Sequence, residues 1–180
     1  MKGVRAAIRY AKALMQLAEE KKSLDLVVAD VEMIHDLINK SDDLRMLLAS
    51  PLINSDKKQS ILNSLFSGKA NELTLSFIQL VVEQNREASL GLMAQEFISI
   101  FNEKNNIATV SLTTAKELDK NSKELILNTI KAKYNYSKIQ LEETVDSDLI
   151  GGLVMRIGDR QLDASIRGQL RKIENELVQA

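Results

Sequence analysis

The sequence predicts a mainly α protein, with a six-helix bundle over residues 1–105 and a small α+β domain over residues 106–180. Three observations predict it. Seven Gly and a single Pro, Pro51, among 180 residues leave room for long uninterrupted elements. Apolar residues recur at i, i+3 and i+4 almost throughout residues 4–104, the period of a helix with one buried face. After Asn105-Asn106 the pattern switches to alternation, the period of a half-buried strand.

The first helix runs from about Val4 to Glu20. Ser23 is placed to cap a second, with Leu24, Val27, Val28, Val31, Ile34 and Ile38 on one face. Ser41, followed by Asp42 and Asp43, opens a short third, and the acidic pair suits the positive end of the helix dipole. Pro51 stops it. Asn54 or Ser55 starts a fourth that turns Ile61, Leu62, Leu65 and Phe66 inward and ends at Gly68. A fifth spans about Ala70 to Gln84, and a sixth about Glu87 to Lys104, with Leu90, Met93, Phe97, Ile100 and Phe101 on one stripe. Short connections make neighbouring helices antiparallel.

In the second domain Ala108, Val110 and Leu112 share one side of a strand. Asn121-x-x-Glu124 has the spacing of a capping box and opens a helix carrying Leu125, Ile126, Leu127 and Ile130. Tyr134 to Ser137 is a break, after which Ile139, Leu141 and Val145 alternate. Gly151-Gly152 precedes a strand at Leu153–Ile157, and Gly158-Asp159-Arg160 turns it into a hairpin. A last helix places Ile166, Leu170, Ile173 and Leu177 on one row. The order is β-α-β-β-β-α.

Composition excludes several chemistries. With no Cys there is no disulfide framework, thiolate metal site or Cys nucleophile, and the single His35 excludes two-His metal motifs. The 24 basic and 25 acidic residues nearly cancel, and neither domain has the basic excess of a nucleic-acid binder. No apolar run reaches the ~18 residues that span a bilayer. The chain therefore reads as soluble and cytosolic, so that a partner must hold it if it works at a membrane. No signal or transit segment is read at the N-terminus.

The motifs that invite a catalytic reading fail on context. Gly151-Gly152-x5-Gly158 lacks the Lys and the strand-to-helix setting of a phosphate loop. Asp146, Asp148, Asp159 and Asp163 do not have calcium-loop spacing and are interleaved with Arg156, Arg160 and Arg167. Glu142 and Glu143, adjacent on a strand, point to opposite faces. His35, beside Ile34 and Asp36, reads as a boundary or surface residue.

The first and fifth helices are the informative ones. On a helical wheel of the first, Val4, Ala7, Ile8, Ala11, Leu14, Met15 and Ala18 form one stripe, and Ala6, Tyr10, Ala13 and Leu17 a second beside it. The apolar arc is about 220°, against roughly 100° for an ordinary surface helix. The fifth is alike, with Leu73, Leu75, Phe77, Ile78, Leu80, Val81 and Val82. Either both helices are central, or they share a face left open as a groove for a partner helix.

The run Ile139-x-Leu141-x3-Val145-Asp146-x2-Leu149-x-Gly151-Gly152-Leu153-x-Met155-Arg156-x-Gly158 resembles the signature of the delta subunit of F-type ATP synthases, a family that includes the mitochondrial oligomycin-sensitivity-conferring protein. Its continuation through Asp163-x-Ser165-x-Arg167-Gly168-x-Leu170 is similar too, as are Arg9-Tyr10-Ala11-Lys12-Ala13-Leu14 and Asn85-Arg86 near the other end. Met15 stands where the family often has an aromatic. The resemblance implies a non-catalytic stator subunit with no cofactor, metal, small-molecule substrate or nucleic acid. In that family the helical domain grips the N-terminal helix of a head α subunit between its first and fifth helices. The second domain holds the C-terminal end of the b-subunit stalk. Ala6, Tyr10, Ala13 and Leu17, with Ile78 and Val82, are the expected α-subunit contacts. The final helix and the hairpin are candidates for the stalk. The expected location is peripheral, on the cytoplasmic side of a bacterial inner membrane, held there by partner subunits and without direct membrane insertion.

Overall fold

A computed structural model describes residues 2–134 and 136–179. Met1, Ala180 and Asn135, the last within the break read at Tyr134–Ser137, lie outside the described residues. Among the described residues there are eight α-helices and four strands, so the protein is mainly α with a small sheet. The chain forms two compact units, Met1–Phe101 and Asn102–Ala180. The division falls four residues before the boundary read from the sequence, because the last turn of the sixth helix groups with the second unit.

The first unit contains α1 (Lys2–Glu20), α2 (Leu24–Lys40), α3 (Asp42–Ala49), α4 (Ser55–Phe66), α5 (Glu72–Glu83) and α6 (Leu90–Lys104). A single 3-10 turn, Glu87–Ser89, leads into α6. Ser41 caps α3, its Oγ accepting the Leu44 N–H at 3.2 Å. Ser23 stands at the cap position of α2 but makes no capping bond, and its hydroxyl is buried without a partner among the described residues. The fifth helix starts at Glu72 rather than Ala70, because Asn71 takes the cap position and its side chain accepts the Leu73 N–H at 3.0 Å.

Two apolar clusters fill this bundle. One joins Ala7 to Ile34, Ile38, Leu62, Phe66, Ile78, Val81, Val82, Leu90 and Met93. The other joins Ala11, Leu14, Met15 and Ala18 to Val27, Val31, Leu73 and Phe97. Ala7 of early α1 thus shares one cluster with Ile78, Val81 and Val82 of α5, and the later α1 residues share the other with Leu73 at the start of α5.

The second unit contains β1 (Ile107–Thr114), α7 (Lys120–Tyr134), β2 (Lys138–Val145), β3 (Leu153–Ile157), β4 (Arg160–Asp163) and α8 (Ile166–Gln179). The sheet order is β2-β1-β3-β4. β1 and β2 are parallel, which requires the crossover that α7 supplies. β3 pairs antiparallel with β1 and with β4, the latter pair being the expected hairpin. Val110 opposes Leu141 on one side and Ile157 on the other, so one face of the sheet is apolar across three strands. That face packs on Ile126 and Ile130 of α7. The capping box read at Asn121-Glu124 is not the one used. α7 begins at Lys120, and the Asp119 carboxylate takes the bond from Ser122, two residues earlier than the cap read at Asn121.

Candidate partner-binding site

The structure separates the six residues expected at a partner groove. Ala6, Ile78 and Val82 are buried, at 3%, 1% and 0% exposure. Tyr10 is half-buried, Ala13 is exposed, and Leu17 keeps 44% of its surface. Ile78 and Val82 therefore present no side-chain surface to a partner, and with Val81 they belong to the core. The reason is the position of α5, which runs through the middle of the bundle. Most of its wide apolar arc is spent against its own neighbours, as expected for a helix that is apolar nearly all round.

What remains open on α5 lies on the side toward α1. Leu73, Phe77 and Leu80 form a row at i, i+4 and i+7. Leu73 is buried, Phe77 is half-buried, and Leu80 keeps 45% of its surface. Phe77 meets Tyr10 edge to face, with ring centroids 6.4 Å apart and planes at 67°. This geometry matches the aromatic quadrupoles. The Arg86 guanidinium carbon lies 5.9 Å from the Tyr10 ring centroid, within cation–π reach. The surface at the α1–α5 seam is thus a strip of Tyr10, Ala13 and Leu17 beside Phe77 and Leu80. The sequence reading did not single out the last two, of which Phe77 is the partner of Tyr10. Their spacing with Leu73 was the available signal, but the wheel does not say which side of a 220° arc faces α1.

The second unit has two further apolar surfaces. A cavity of about 460 Å³ lies between α7 and the β3–β4 hairpin, lined by Thr129, Ile130, Met155, Ile157, Arg160, Gln161 and Leu162. On α8, Ile166, Leu170, Ile173 and Leu177 are all exposed along one row.

The charged motifs are engaged in local contacts. Asp146 Oδ1 accepts the Asp148 N–H at 2.9 Å, and its other oxygen lies 3.6 Å from Arg167. Glu143 pairs with Lys123 at 2.8 Å, while Glu142 accepts from the Ser111 hydroxyl at 3.3 Å. These two neighbouring carboxylates therefore have separate partners. His35 is half-buried on α2, its ring against the Asn39 amide at 3.1 Å. No group of three or more metal-ligating side chains occurs among the described residues. Nor is any described helix long and apolar enough to cross a membrane.

A helical bundle followed by a small α+β unit is the build of a chain in the cryo-EM structure of the Toxoplasma gondii mitochondrial ATP synthase hexamer. The two superimpose with a TM-score of 0.78 over 96% of this chain and 97% of that one, at 21% identity, which shows a shared fold. Residues 6–177 match the family model for the ATP synthase delta (OSCP) subunit. The ATP synthase subunit delta of Christiangramia forsetii is 40% identical over 177 residues, covering 98% of this chain and 95% of the relative. That of Chlorobium luteolum is 38% identical over 177 residues, covering 98% and 97%. The chain belongs to the ATP synthase delta (OSCP) subunit family. As such it is a structural, non-catalytic subunit of an F-type ATP synthase.

Proposed function

We propose that this chain is the stator clamp of a bacterial F-type ATP synthase. In this reading the helical unit grips the N-terminal helix of a head α subunit and the second unit holds the C-terminal end of the b-subunit stalk. The catalytic head is thereby kept from turning with the rotor, and rotation is coupled to ATP synthesis. The protein sits on the cytoplasmic side of the inner membrane through these partners. The observation that carries the reading is the α1–α5 strip, apolar surface at Tyr10, Ala13, Leu17, Phe77 and Leu80 that the bundle leaves uncovered. A helix laid along it presents anchors at i, i+3/i+4 and i+7. A ~20-residue helix is about 30 Å long and would bury roughly 1,000–1,500 Å² in total, near the lower end of stable interfaces. A clamp that bears torque therefore gains from a second, linked contact, which raises the effective concentration of the first. The exposed row of α8 and the β3–β4 hairpin are the surfaces proposed for the stalk.

The test is the binding of a peptide from the first ~20 residues of the head α subunit of the same organism to the full chain. Ala13→Asp and Leu80→Asp change exposed positions, so they should lower affinity while leaving the helical circular dichroism unchanged. If both variants bind as the parent does, the strip is not the site.

A further inference from the structure

On α8, Ile166, Leu170, Ile173 and Leu177 keep 43%, 48%, 52% and 74% of their surface. Their spacing is that of the apolar seam of a coiled coil, in which such a row packs into the same row of a second helix. The Ile166 N–H is bonded to the Gly151 carbonyl oxygen at 3.0 Å, which sets Ile150 one residue from the head of the row. Ile150 is 63% exposed and holds φ of +65°, where a β-branched residue is strained. Backbone strain and uncovered apolar surface are both costs to the free chain, and such costs gather at sites that a partner covers.

The charges beside the row say what that partner is. Arg167 and Glu174 each follow a seam residue, Ile166 and Ile173, so they stand on the same flank, one at each end. Arg167 reaches Asp146 only at 3.6 Å and its side chain stays 44% exposed. Glu174 is exposed and forms no ion pair among the described residues. A second α8 laid antiparallel sets Ile166 over Leu177 and Leu170 over Ile173. Arg167 then lies beside Glu174 of the second copy, and Glu174 beside its Arg167. The flank is therefore self-complementary about a two-fold axis, as an interface between identical surfaces requires. A parallel pair sets Arg167 level with Arg167 and Glu174 level with Glu174, which forfeits both attractions. Charge of this kind selects direction and register more than it adds affinity.

We infer that the free chain pairs with a second copy of itself through α8, the two helices antiparallel and Arg167 of each beside Glu174 of the other. The inference does not depend on the head-binding strip. It shares α8 with the surface proposed for the stalk, so the pairing belongs to the chain before assembly. Two helices of about 21 Å make an interface well below the ~1,600 Å² of a standard one, so the pair is weak and dissociates on dilution. Sedimentation velocity of the full chain, run from about 5 µM to about 1 mM, should show a monomer passing to a dimer. A monomer over the whole range overturns the inference. Ile173→Asp, at an exposed position, should stay monomeric with unchanged helical circular dichroism. If it dimerises as the parent does, another surface is responsible and the inference falls. Glu174→Arg and Arg167→Glu each place like charges together in a pair, so each alone should dimerise about tenfold more weakly than the parent. Mixed, they restore both attractions and should form a heterodimer at the parent's affinity. A mixture that pairs no better than either variant overturns the antiparallel arrangement. Should Arg167→Glu, which also gives up Asp146, fail to fold, Glu174→Arg alone decides: dimerisation within about twofold of the parent overturns it.

Discussion

Asp30 on α2 holds the start of α5: its Oδ2 accepts the Thr74 hydroxyl and the Asn71 N–H, both at 2.7 Å. The carboxylate is buried and sits at the positive end of the helix, where the first N–H groups have no intrahelical partner. One side chain thus fixes α5 against α2 across more than forty residues of chain. Because α5 presents the apolar strip beside α1, this contact lies beneath the proposed site. Asp30→Ala would leave both buried donors without an acceptor, at a cost of about 2–3 kcal/mol. Thr74→Ala removes one donor and keeps the Asn71 bond, so about 1 kcal/mol is expected. Urea unfolding of the two variants checks the order. Equal losses would show that the hydroxyl, and not the cap on Asn71, carries the contact.

A second buried polar tie joins α4 to the 3-10 turn before α6. Lys58 Nζ lies 2.6 Å from Glu87 Oε1 and 3.2 Å from the Leu48 carbonyl oxygen, and both side chains are more than nine-tenths buried. Glu87 Oε2 is buried without a partner among the described residues. Removing one partner strands the other charge, so Lys58→Met alone should cost about 3–5 kcal/mol. The double variant Lys58→Met, Glu87→Leu removes both charges and should recover most of that loss. A double variant as unstable as the single one would mean that the Lys58 bond to Leu48, closing α3, is the larger contribution.

The two ties also mark what the sequence could and could not disclose. The helices were legible because their apolar rows, the Ser41-Asp42-Asp43 start and Pro51 are local signals. Asp30 stands beside Val27, Val31 and Ile34 on the inward side of α2, so its burial could be suspected, but its partners at 71 and 74 are not written near it. Lys58 and Glu87 give no local sign of each other. The same limit governs α1 and α5. Both have wide apolar arcs, yet Ile78 and Val82 went to the core while Ala13 and Leu17 stayed open. A wheel records how much of a helix is apolar, and only the placement of neighbours decides which part is covered. At α7 the error was smaller, two plausible caps two residues apart, with the carboxylate of Asp119 preferred to Asn121.

Gly152 precedes β3 with φ of +75°, in the left-handed region that other residues enter at a cost. A Cβ there would also run into the carbonyl oxygen of Ala164, part of the backbone that links β4 to α8. The same segment is tied to β3 by the Ala164 N–H bonded to the Leu153 oxygen at 2.9 Å. Gly152→Ala should therefore destabilise the second unit, by roughly 1–3 kcal/mol from conformation alone. Gly151→Ala is the comparison, since its added methyl meets only the end of the Ile166 side chain. Hydrogen exchange should show lost protection at β3 and β4 in the first variant and little change in the second. Equal effects would sink the argument from the Ala164 backbone.

Ser165 caps α8, its Oγ accepting the Gly168 N–H at 3.0 Å while its hydroxyl donates to Asp163 Oδ1 at 2.6 Å. Asp163 also accepts the Ser165 N–H at 2.9 Å. These bonds, the side-chain one foremost, hold the Asp163 carboxyl below its ordinary value of 3.8, with the charges of Arg167 and Lys172 adding to the effect and desolvation opposing it. The sign follows from the direction. A carboxyl depressed on folding contributes stability above its unfolded value, and that contribution is lost as the pH falls through the lower folded value. The seat of α8, and with it the exposed row of Ile166, Leu170 and Ile173, should thus loosen only in acid, below the ordinary carboxylate range. Ser165→Ala removes the foremost cause, so the Asp163 carboxyl resonance should titrate closer to 3.8 than in the parent. The same variant loses the cap, which costs about 1 kcal/mol, and α8 amides should exchange faster at neutral pH. An unmoved Asp163 midpoint in the variant would show that the N–H of residue 165, with the charges of Arg167 and Lys172, and not the Ser165 hydroxyl, holds the carboxylate.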